Sequence, residues 1–154
     1  MANPFPFSSG AVLTAANLNA IGEWTSFTPS WTNFTPGVNA TENWWYAVIN
    51  GVLHVTGRTV LGTTSSVTGA IRMDVPTGTM FSAQRQAVGV LQMREAGASA
   101  NYVGVWEQYD TTKVQADYFE VSGSLIESTP TNTNDPFAWG NNDQIRGSFT
   151  VHLQ

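Results

Sequence analysis

Residues 44–61 read Trp44-Trp45-Tyr46-Ala47-Val48-Ile49-Asn50-Gly51-Val52-Leu53-His54-Val55-Thr56-Gly57-Arg58-Thr59-Val60-Leu61. Two runs rich in aromatic and β-branched residues flank Asn50-Gly51. That dipeptide is the strongest short hairpin signal, because both residues tolerate the positive φ of a tight two-residue turn. The stretch predicts two antiparallel strands, 44–49 and 52–61. In the second, Leu53, Val55 and Gly57 face one way and Val52, His54, Thr56 and Arg58 the other, the period-2 pattern of a sheet with one buried face.

The same reading extends towards the C-terminus. Strands are predicted at 66–75, 84–94, 101–109 and 113–121, separated by Pro76-Thr77-Gly78, Glu95-Ala96-Gly97 and Asp110-Thr111-Thr112, residue types that favour turns. The last strand, 144–154, alternates cleanly. Ile145, Gly147, Phe149, Val151 and Leu153 share one face, and Arg146, Ser148, Thr150 and His152 the other. Short strands at regular spacing predict an all-β domain, a β-sandwich or jelly roll, over residues 42–154.

Towards the N-terminus the pattern changes. Residues 25–41 repeat aromatic-Thr-Pro (Phe27-Thr28-Pro29, Phe34-Thr35-Pro36) and predict an irregular or edge-strand linker, since proline is excluded from central strands. Residues 1–24 predict a docking element. Pro4 and Pro6 hold residues 1–9 extended, and one short helix follows, N-capped by Thr14 and ended by Gly22. Two helical turns are not stable alone, so Phe5, Phe7, Val12, Leu13, Leu18, Ile21 and Trp24 are the candidate attachment residues.

Composition excludes several kinds of function. The 154 residues contain no cysteine, so disulfide frameworks and thiolate sites are ruled out. Six Lys+Arg against eleven Asp+Glu give a net charge of −5, and the arginines Arg58, Arg72, Arg85, Arg94 and Arg146 are scattered singly. A nucleic-acid partner is not expected from such a chain. No apolar run is long enough for a membrane helix, and the first residues lack the basic and apolar regions of a signal peptide. Only 11% of residues are charged, against about 25% in an average domain. Polar, uncharged surfaces carrying aromatics suit packing against other proteins.

No motif carries catalysis. His54 and His152 have no partner at a supporting spacing, and the acidic residues near turns lack the paired or dense patterns of glycosidases and calcium loops. Asn141-Asn142-Asp143 is the most metal-like stretch, and turns attract Asp for backbone reasons alone. Glycine-rich phosphate loops and Gly-x-Ser-x-Gly elbows are absent. No catalytic residue, metal or cofactor is therefore expected. What remains is aromatic: Trp44, Trp45, Tyr46, Trp106, Tyr109 and Trp139 are candidate subunit or glycan contacts, with core packing the plainer reading for each ring.

Two segments resemble a known group. Gly10-Ala-Val-Leu13-Thr-Ala-Ala-Asn-Leu18-Asn, followed by Trp24-Thr-Ser-Phe27-Thr-Pro29-Ser-Trp31, resembles the N-terminal segment of small tail-fibre-like and minor structural proteins of tailed bacteriophages. Phe137-Ala-Trp139-Gly-Asn-Asn-Asp143-Gln-Ile145-Arg-Gly147-Ser-Phe149 is similar to their closing strand. The resemblance implies a virion protein, synthesised in the host cytoplasm and usually a homotrimer, with other virion proteins and possible host glycans as partners. A chain this short lacks a fibrous shaft, which implies a compact appendage: a small fibre or receptor-binding tip, or a head fibre or capsid decoration.

Overall fold

The protein is represented by a computed structural model that describes residues 22–81 and 85–154. The attachment residues Phe5, Phe7, Val12, Leu13, Leu18 and Ile21, and the expected helix they belong to, lie outside the described residues. Ten strands follow in order: β1 (Thr25–Phe27), β2 (Trp31–Thr35), β3 (Thr41–Ile49), β4 (Val52–Val60), β5 (Ser66–Asp74), β6 (Ala87–Glu95), β7 (Ala100–Gln108), β8 (Lys113–Ser122), β9 (Leu125–Pro130) and β10 (Gln144–His152). All named pairings are antiparallel. They join the strands into one path, β1-β3-β4-β10-β6-β7-β8-β5-β2, with β9 attached to β8. The chain is all-β.

The Asn50-Gly51 turn forms as its chemistry dictates, with φ of 51° and 75° at the two residues, both positive as a type I′ turn requires. It sets the β3–β4 register Ile49↔Val52, Tyr46↔Val55 and Trp44↔Gly57. Paired residues share a sheet face, so Trp44 and Tyr46 follow Leu53 and Val55 inward. β10 inserts between β4 and β6, with Phe149 opposite both Val55 and Gly89. Its alternation matches the expected one: Ile145, Phe149, Val151 and Leu153 are buried.

The 25–41 stretch is more ordered than a linker. It supplies β1 and β2, the two ends of the sheet path, and Pro29 and Pro36 each fall just outside a strand. Proline thus sets where these edge strands stop. β9 was not anticipated, because Leu-Ile-Glu-Ser-Thr-Pro has no period-2 alternation. Gly123, with φ of 65°, makes the turn that returns the chain onto β8.

The sheet is curled around one core that draws residues from β2 to β8 and β10, including Phe34, Trp44, Val55, Ile71, Met93, Trp106, Val114 and Phe149. Trp31 of β2 lies edge-on to Trp44 of β3, ring centroids 6.0 Å apart, although seven strand spacings separate them along the path. A flat sheet would hold those strands roughly 33 Å apart. Trp31 Nε1 also donates to Glu42 Oε1 at 2.7 Å, so side chains bring β2, at one end of the path, against β3, next to the other end.

Candidate functional site

Of the aromatic candidates, Trp44 and Trp106 are core residues, 1% and 0% exposed. Trp44 Nε1 donates to Thr59 Oγ1 at 2.9 Å, whereas the buried Nε1 of Trp106 finds no partner among the described residues. Their burial takes both rings off the surface, because strand alternation turns them inward. Tyr46 is half-buried against Phe27 at 5.7 Å. Trp139 packs on Phe137 at 4.5 Å and donates to the Asn132 carbonyl at 3.1 Å. Tyr109 lies beneath the Arg72 guanidinium, 3.7 Å from its ring centroid, with Arg85 at 5.0 Å. Trp24 and Trp45 are exposed, Trp45 by 45%.

Trp45 marks the outer face of the sheet. It pairs with Thr56 across β3–β4, and Thr56 pairs with Ser148 across β4–β10. Thr56, with Gly57 and Gly147, floors an open depression of about 660 Å³, bordered by Asn43, Arg58, Arg146, Gln92, Val90 and Val103. Asn43 also borders a smaller hollow of about 390 Å³ that reaches Trp45 and Ser26.

The charges of this face are uneven. Arg58 and Arg146 stand directly opposite each other across β4–β10. Arg146 Nε donates to Gln92 Oε1 at 2.8 Å, and Arg94 lies two residues along β6 from Gln92. Among the described residues, which include all eleven carboxylates, none of these three arginines is ion-paired. The other cations are engaged elsewhere: Arg85 with Glu107, Lys113 with Asp74, and Arg72 with Gln115 and Tyr109. Sequence order scattered the arginines, and only the β4–β10 pairing sets Arg58 against Arg146.

The opposite charge gathers on the β8–β9 hairpin. Glu120 stands opposite Glu127. At the hairpin base the Tyr118 hydroxyl donates to Glu120 Oε2 at 3.3 Å. Burial, then the nearby charges of Asp135 and Glu120, push that phenol up to about 12. The hairpin's other face is apolar, with Val121 opposite Ile126, 73% and 75% exposed, and Phe119 beside them.

Two of the groups singled out by sequence, Asp143 and His54, have hydrogen-bond partners. Asp143 accepts from the backbone N–H of Ala96 at 2.8 Å and of Gly140 at 2.6 Å, which accounts for the most metal-like stretch in backbone terms. His54 Nδ1 lies 3.2 Å from Thr150 Oγ1. No group of three metal-ligating side chains occurs among the described residues. Glu107 is the acid that spacing did not reveal: burial, then the charge of Asp117, raise its carboxyl above the usual range against the pull of Arg85. No known protein family, curated protein or solved structure matches this chain.

Proposed function

We propose that this chain is a non-catalytic structural protein of a tailed-phage particle, a compact appendage assembled as a homotrimer and anchored through residues 1–24. The reading rests on the resemblance of residues 10–31 and 137–149 to small tail-fibre-like and minor virion proteins. The observation that carries the assembly part is the exposed apolar face of the β8–β9 hairpin, formed by Phe119, Val121 and Ile126. Burying such a face contributes roughly 25 cal/mol per Å², so a neighbouring subunit is the natural cover. The reading takes the curled sheet as a sandwich or jelly roll whose outer faces meet neighbours, and it places the mature chain in the virion. Purified particles should contain the chain by mass spectrometry, and its absence from them sinks the proposal. Light scattering on the isolated protein should give three chains. A variant lacking residues 1–22 should fold and no longer join particles.

A second reading, a module that recognises host surface glycans, is favoured by one observation: Trp45 is exposed beside the hollow that Asn43 joins to the larger depression. Sugar rings stack on such indoles while Asn and Thr supply hydrogen bonds. A glycan array probed with wild type and Trp45→Ala separates the two readings, since only the second expects binding that the variant loses.

A further inference from the structure

We infer that the acidic face of one copy's β8–β9 hairpin seats in the arginine-flanked depression of a second copy of this chain. The inference rests on the oligomeric part of the function proposed above and adds, on the hairpin face opposite Phe119, Val121 and Ile126, the charged surfaces that orient the contact. Two like-charge pairs carry it. Arg58 faces Arg146 across β4–β10, and Glu120 faces Glu127 across β8–β9. Like charges directly opposite each other destabilise a strand pair, and none of the four is ion-paired within the described residues. Each pair is a cost in the isolated chain, and the two are complementary in sign.

The surroundings match as well. Val90 and Val103 are exposed in and beside the depression, and Leu125 is exposed on the hairpin. Leu125 lies two residues from Glu127 along β9, so both project from the same face. Seating that face would place Leu125 against the valines and the two carboxylates against the two guanidinium groups. Arginine forks donate bidentately to carboxylates. Copies with a net charge of −5 repel one another at long range, so a contact that opposes acid to base also selects the orientation of approach. Hairpin and depression are different surfaces, so the contact is exchanged reciprocally in a pair or repeats head-to-tail from copy to copy. Such contacts close into a ring when the rotation allows, and a trimer is the smallest ring beyond a pair.

The test is charge reversal in the full chain, read by light scattering and circular dichroism. The wild type should be oligomeric at low salt and dissociate as salt rises, because screening weakens exposed pairs. Arg58→Glu with Arg146→Glu should give a folded monomer, as should Glu120→Arg with Glu127→Arg. All four substitutions in one chain should restore the oligomer. The milder Arg146→Gln and Glu127→Gln should keep the fold and weaken self-association about tenfold each, which guards against reversals that fail to fold. An oligomer indifferent to either reversal overturns the inference, as does a quadruple variant that folds and stays monomeric, or a wild type that is monomeric at low salt. An oligomer that survives the arginine reversal while binding to an acidic saccharide is lost would assign the depression to a glycan instead. The presence of the chain in particles tests the virion reading independently of all these results.

Discussion

Trp44 and Trp106 meet edge-to-face, ring centroids 6.2 Å apart with an interplanar angle of 77°, although they sit on strands four spacings apart in the sheet path. A flat sheet would hold those strands roughly 19 Å apart. The curl that brings them together is accommodated by two glycines opposite each other in register, Gly57 and Gly147. A Cβ on Gly57 would lie 2.5 Å from Trp44 Cδ2, and one on Gly147 would lie 2.7 Å from Trp106 Nε1 and 2.2 Å from the Val90 carbonyl oxygen. Each indole fills the space that its glycine leaves open.

Gly57→Ala and Gly147→Ala should therefore each destabilise the fold by about 3 kcal/mol, since the clash is with backbone as well as with a ring that has nowhere to go. Equilibrium denaturation gives the value directly. A change too small to resolve at either position would show that the core can shift, and that the glycines do not hold the curl.

Neighbouring tryptophans should respond very unequally. Trp44→Ala empties the centre of the core and should cost about 4 kcal/mol, while Trp45→Ala, on the solvent face, should cost less than about 1 kcal/mol. Equal costs in thermal melts would contradict the inward and outward assignment of the two rings.

Thr59 is buried, accepts the Trp44 indole hydrogen bond and donates its own hydroxyl to Glu42 Oε1 at 3.3 Å. Thr59→Val keeps the shape and orphans that indole N–H, at a cost of about 1–3 kcal/mol. Trp106→Phe removes a donor that already has no partner among the described residues, so it should cost less than Trp44→Phe, its remaining penalty being lost volume. The reverse order in denaturation midpoints would refute this account of the two indoles.

The pH response follows from three carboxylates. Glu107 is raised above 4.5 in the folded chain by burial and then by Asp117, so the native state holds its proton more tightly than the unfolded one does. Stability then falls as pH rises from 4.5 through the folded value, and the penalty persists at higher pH. Glu107→Gln should raise the melting temperature at pH 7 and converge with wild type below pH 4.5. Burial pushes Asp74 and Asp110 upward. That push is outweighed at Asp74 by hydrogen bonds from Lys113 and Ser30 and the Lys113 charge, and at Asp110 by bonds from Thr112 and the Lys113 backbone, so both sit below 3.8. Their contribution is present above pH 3.8 and lost as pH drops below it. A Glu107→Gln advantage that grows on acidification would contradict this sign.

Much of the sheet was legible from local signals. Alternation in 52–61 and 144–154 already separates the buried from the outward residues, and Asn50-Gly51 places the tightest turn. The register of a two-residue turn also sets Trp44 opposite Gly57, on the same face as Leu53 and Val55. That register alone turns Trp44 inward and Trp45 outward. β9 escaped because its exposed residues carry no alternation: a strand that buries neither face leaves no periodic trace.

The sequence by itself determined the strand class, the turn at Asn50-Gly51 and the two-faced alternation of each well-patterned strand. All of these follow from φ preferences and period-2 burial, which act over a few residues. Only the tertiary structure decided that β10 lies between β4 and β6, that Arg58 stands opposite Arg146, and that Trp31, Trp44 and Trp106 converge in one core. Those relationships join segments far apart along the chain. Their energy depends on how the whole sheet curls to close its apolar face, and no short window of sequence contains that information.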